Sequence, residues 1–113
     1  MPQLTALDQK VMLAAINLHP NAYGVAIQDH VRERTGEAPP SIGSLYAAIE
    51  RLEDRGFIRT RLGEPTKARG GRAKLYVVVT ARGQASLKQS LQALASLQGA
   101  FVSGAASPGE VLV

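Results

Sequence analysis

At 113 residues and 12.0 kDa, with 45% apolar residues, the chain fits one domain around a single modest core, and its lack of cysteine excludes a disulfide framework and thiolate zinc sites. No apolar run approaches the roughly 20 residues of a membrane span, and the N-terminus lacks a basic-then-apolar secretory signal, so a cytoplasmic protein is expected. The formal charge of +4 favours acidic partners and is local: from Arg51 to Arg82 nine Lys or Arg stand against three acidic residues, a net +6, while the remainder carries a net −2.

Thr5 with Asp8 three residues later forms an N-terminal cap, and Leu7, Val11, Ala14 and Leu18 then recur at helical spacing. This first helix ends at His19-Pro20. A second helix is predicted from about Ala22 to Thr35, with Tyr23, Ile27 and Val31 on one stripe and Gly36 as its stop. After the stiff Ala38-Pro39-Pro40 connection, Ser41 caps a third helix whose Ile42, Leu45, Ile49 and Leu52 form an apolar stripe, ended by Gly56. Phe57 to Leu62 and Lys74 to Thr80 alternate as strands, joined by a basic, glycine-rich loop from Gly63 to Arg72. Thr80 can cap a fourth helix from about Ala81 to Gln98, striped by Leu87, Leu91 and Leu94. The tail from Gly99 is rich in small residues and is expected to be loosely ordered.

This order of elements predicts a mainly α fold with a small β-hairpin, an α+β winged helix-turn-helix over residues 4–80, a C-terminal dimerisation helix over 81–98 and a flexible tail over 99–113. At about 100° per residue the apolar stripe of the third helix clusters on one side, and Gly43, Ser44, Ala47 and Arg51 point the other way. Small residues at the front of that face would let the backbone sink into a DNA major groove, with Ser44 able to bond base edges. Ser41, as N-cap, sits beside amides that favour a phosphate, and Arg51 is placed to clamp one. Tyr46, on the flank, either packs against the wing or donates to a phosphate. The wing loop holds Lys67, Arg69 and Arg72 with Lys74 at its exit, and contains nothing suited to a core. Such arginines enter a narrow minor groove or neutralise phosphates.

The ordered series Tyr23-Gly24 with Ile27, Ser44-Leu45-Tyr46, Ile49, Arg51-Leu52-Glu53, Gly56-Phe57-Ile58, Gly70-Gly71-Arg72, Tyr76, Thr80 and Gly83 resembles the PadR-like winged-helix transcriptional regulators, short type with one C-terminal helix. The resemblance covers about Leu7 to Leu97. Two places depart from the family pattern. Glu50 stands where Lys or Arg is frequent, which puts a phosphate contact there in question, and Val25-Ala26 replaces bulkier or acidic residues. The resemblance implies a bacterial repressor of stress-response or drug-efflux genes that is released by a small-molecule effector. Some members hold flat aromatic compounds between tryptophans, and this chain has none.

The stripe of Leu87, Leu91 and Leu94, with Phe101, has little left to cover it once the winged core is closed, so a homodimer is expected, helped by Val11, Met12 or Leu18 of the first helix. A two-fold protein implies palindromic double-stranded DNA with half-sites about one helical turn apart. His19 and His30 lack the partners of a metal set, no nucleophile has a recognisable base, and no metal, cofactor or enzymatic activity is expected. Two rival readings keep the fold and change the partner: a protein-interaction module meeting an acidic surface, and an RNA-binding module.

Overall fold

The computed structural model describes residues 3–63 and 74–102. Helix α1 spans Ala6–Leu18, α2 Gly24–Thr35 and α3 Ile42–Asp54; strands β1 (Ile58–Leu62) and β2 (Leu75–Val79) follow, and α4 runs Ala81–Val102. The mainly α architecture with one antiparallel hairpin is the one expected.

Local signals account for most boundaries. Thr5 Oγ1 accepts from the Asp8 amide at 3.0 Å while Asp8 Oδ2 accepts from the Thr5 amide at 3.0 Å, a reciprocal capping box at the start of α1. Gly36, at φ 71°, closes α2 in the left-handed region, and Gly56, at φ 76°, follows the last turn of α3. Ser41 Oγ accepts from the Ser44 amide at 3.1 Å to cap α3. Thr80 Oγ1 accepts from the Gly83 amide at 3.0 Å and donates to the Gly56 carbonyl at 2.7 Å, so the cap of α4 also holds the end of α3.

The core is built by α1, α2, α3 and the hairpin: Val11, Met12, Ile27, Leu45, Ala48, Leu52, Ile58 and Val77 are all sealed from solvent. Two expectations for the stripes are corrected here. Ile42 is 45% exposed and Ala48 takes a core place instead, because a helical side chain leans over the turn N-terminal to it and the first residue of α3 has no such turn. Tyr23 is not on a helical stripe: it is the extended N-cap of α2, and its backbone bridges Tyr76. The α2 start shifts accordingly, since the Ala22 carbonyl accepts from the Val77 amide at 2.8 Å and the segment pairs with β2 before it can turn helical.

In the hairpin Ile58 faces Val79, Thr60 faces Val77 and Leu62 faces Leu75. Gly83 is buried where α4 crosses the entry to β1; a Cβ there would collide with the Phe57 carbonyl. The fourth helix passes the expected end at Gln98, so residues 99–102 are helix rather than tail. Gly99 keeps a helical backbone with open space about it, and the cost of glycine inside a helix, about 1 kcal/mol, does not by itself end one. Residues 103–113 of the expected tail lie outside the described residues. No described helix is long and apolar enough to cross a membrane.

Candidate nucleic-acid interface

The outward face of α3 is the one its periodicity predicts: Ser41, Gly43, Ser44, Ala47 and Arg51 are exposed, while Leu45, Ala48, Ile49 and Leu52 are buried behind them. A Cβ at Gly43 would meet nothing within 4 Å, so the front of the helix presents almost bare backbone. The Ser41 and Ser44 hydroxyls lie 2.9 Å apart and share one hydrogen bond, which leaves the pair one O–H to offer outward. Gln28 donates from α2 to the Pro40 carbonyl at 2.9 Å, tying the connection to the preceding helix and setting the angle at which α3 emerges.

Arg51 does not stand free on this face. Its Nη2 is 3.0 Å from Asp8 Oδ1, and that carboxylate, with a side chain only 3% exposed, already serves the α1 cap through its other oxygen. The guanidinium, half exposed, is therefore held by α1 as it lies along α3. A carboxylate with both oxygens engaged and charge-paired is what makes such burial tolerable. Sequence reading found each partner but not the pair, which joins residues 43 positions apart.

Tyr46 turns toward α2 rather than the wing: a Cβ at Gly24 would sit 3.0 Å from its hydroxyl and 3.6 Å from Ile42 Cδ1. The N-terminus of α2 has no side-chain cap, which leaves its first amides beside this cluster.

Of the expected wing residues, Lys67, Arg69 and Arg72 lie outside the described residues. Lys74 is placed at the wing base with its Nζ 4.2 Å from the centroid of Tyr23, and Arg61 lies 4.7 Å from that of Tyr76. The two rings meet edge to face at 5.8 Å. Cations stacked on aromatic faces keep their charge and lose mobility, so this basic cluster is fixed against the start of α2. Tyr23 and Arg61 were not among the expected site residues; the signal for Tyr23 was hidden by its assignment to a helical stripe.

The expected dimer residues divide. Val11 is fully buried and Leu87 is 3% exposed, both within the core of the single chain, so neither offers appreciable surface of its own to a partner. Met12 is buried too, and Leu18 and Leu91 pack against the core from its edge. The reason is that α1 and the first turns of α4 contact each other and the hairpin, which uses up the N-terminal part of the stripe. What remains exposed is Leu94, Leu97, Phe101 and Val102 on α4, with Leu13 and Ile16 on α1. Between these helices an open groove of about 510 Å³ is lined by Ile16, Leu87, Leu91 and Ala95 among others. Among the described residues no cluster of His, Asp or Glu could hold a metal ion.

Residues 12–89 match the sequence model of the transcriptional regulator PadR-like family. Among curated proteins none matches the chain. Among solved structures, a transcriptional regulator from Clostridium thermocellum shares the fold at a TM-score of 0.69 and 24% identity, over 86% of this chain and 87% of its own. A PadR-like transcription factor from Bacteroides fragilis gives 0.66 at 25% identity over 88% and 89%. A PadR family transcription regulator from Clostridium difficile gives 0.64 at 22% identity over 87% and 99%.

Proposed function

The chain belongs to the PadR-like family of transcriptional regulators, DNA-binding proteins rather than enzymes, and from that premise we propose that it is a homodimeric repressor acting on a palindromic operator in the cytoplasm. The observation that carries this reading is the bare front of α3. Gly43, Ser44 and Ala47 are exposed while Leu45, Ala48, Ile49 and Leu52 behind them are committed to the core, so the face is free for a major groove and is held rigidly enough to read one.

In this reading Gly43, Ser44 and Ala47 approach base edges, and Ser41, Arg51 and Lys74, together with Lys67, Arg69 and Arg72 of the wing loop, supply phosphate and minor-groove contacts. Tyr46 braces α3 against the start of α2. Arg51 adds affinity from a position fixed by Asp8. The dimer forms through Leu94, Leu97, Phe101 and Val102, whose exposure on one helix supports a partner more economically than solvent does. A small-molecule effector releases the operator only by binding the free dimer better than the DNA-competent one, and the groove between α1 and α4 offers it an apolar seat.

Selection of duplexes from a random library by the full-length protein, followed by half-site analysis, tests partner, symmetry and specificity together. Enrichment of an inverted repeat with half-sites about one helical turn apart is expected. A preference for RNA, or no fragment bound above bulk DNA, would overturn the reading in favour of the rival partners. Light scattering on the eluting protein is expected to give twice the chain mass.

A further inference from the structure

Two exposed apolar side chains meet at the junction of α2 and α3, Ile42 at 45% and Tyr46 at 41% exposure, and Val25, in the first turn of α2, is 56% exposed. The Ile42 Cδ1 and the Tyr46 ring converge on the space a Cβ would need at Gly24, the residue before Val25. The patch belongs neither to the core nor to the apolar surface of α4. In the chain Gly43 and Ser44 follow Ile42, and Tyr23, which carries the Lys74 ammonium on its ring, precedes Gly24, so the patch adjoins the face proposed for DNA.

We propose that Val25 and Ile42 read thymine by packing on the 5-methyl groups that project into the major groove. The inference rests on the DNA-reading role assigned to α3 and names what that face selects. Aliphatic side chains offer no hydrogen bond to a phosphate or to the amino and keto groups of the bases. The thymine methyl is the one aliphatic group a duplex presents in that groove, and apolar contact is how proteins recognise it. A protein partner fits the patch poorly: three side chains fall far short of the roughly 800 Å² per partner of a stable interface. The basic residue beside the patch also suits a polyanion.

The test uses the duplex enriched from a random library by the full-length protein. Each thymine is replaced in turn by deoxyuridine, which retains every hydrogen-bonding atom and lacks only the methyl group. One or two positions in each half-site are expected to lose about fourfold in affinity, the value of one buried methyl-sized group. Ile42→Ala and Val25→Ala are expected to bind the parent duplex more weakly and each to become indifferent to uridine at one of those positions. Both side chains are exposed, and the uridine scan with the unaltered protein needs no variant. Equal binding of every uridine duplex overturns the proposal, as does a uridine penalty that persists in both variants. Failure to enrich any duplex would instead sink the sequence-reading role itself, so the two failures are told apart.

Discussion

Helices α3 and α4 are both amphipathic, yet they finish differently. Of its 13 residues α3 buries Leu45, Ala48, Ile49 and Leu52 inside the chain and leaves the small residues Gly43, Ser44 and Ala47 outward, whereas the 22 residues of α4 bury Leu87, half-cover Leu91 and carry Leu94, Leu97, Phe101 and Val102 into solvent. The difference is one of what lies opposite. From Leu45 to Leu52 the third helix packs against α1, α2 and β1, which supply its apolar partners; α4 packs against α1, β2 and Phe57, and its core contacts reach Leu91 while Leu94 and the residues beyond are exposed. A helix whose apolar side is covered within the chain leaves its other face open, the face proposed for DNA, and the uncovered end of α4 is the surface proposed for a second chain.

Substitutions on the two helices can break this contrast. Leu52→Ala, at a fully buried site on α3, is expected to cost about 2–5 kcal/mol in a denaturant melt. A loss below about 1 kcal/mol would deny that α3 is closed within the chain. Gly83→Ala, where α4 presses on the Phe57 carbonyl, is expected to cost about 1–3 kcal/mol in thermal unfolding, because backbone must move to admit the methyl. Arg51→Ala leaves the Asp8 carboxylate buried beside one backbone donor, and a loss of about 1–2 kcal/mol is expected with a flatter salt dependence of DNA binding. Arg51→Lys should recover part of the stability.

Smaller effects on folding sharpen the comparison from the other side. Leu97→Asp with Phe101→Asp is expected to halve the mass seen by light scattering while helical content by circular dichroism is retained, since both side chains are more than three-quarters exposed in the single chain. An unchanged mass would place the dimer elsewhere. Ser44→Ala should move the melt by no more than about 0.5 kcal/mol, yet change the base favoured in duplex selection. The same sequence enriched by both proteins would remove Ser44 from the reading set.

Much of this was legible in the chain because the signals are short-range. The Thr5 and Asp8 box, the glycine after α2, the Ser41 and Thr80 caps and the 3.6-residue stripe of α3 each lie within a few residues of the feature they specify. The open front of α3 followed from that stripe. Periodicity was less informative where an apolar residue had two possible neighbours. It could not tell that Val11 and Leu87 are spent on the chain's own core while Leu94 is not, nor that Ile42, though in phase with the stripe, stands at an end where nothing covers it.

By itself the sequence determined the order and type of the elements, their caps, the outward face of α3 and the concentration of positive charge between Arg51 and Arg82. Only tertiary structure decided that Asp8 holds Arg51, that Tyr23 leaves its helix to pair with Tyr76, and how far up α4 the core reaches. The physical reason is range. Backbone hydrogen bonds and caps are settled between near neighbours in the chain, whereas charge pairing, ring stacking and burial depend on which distant segment packing brings alongside.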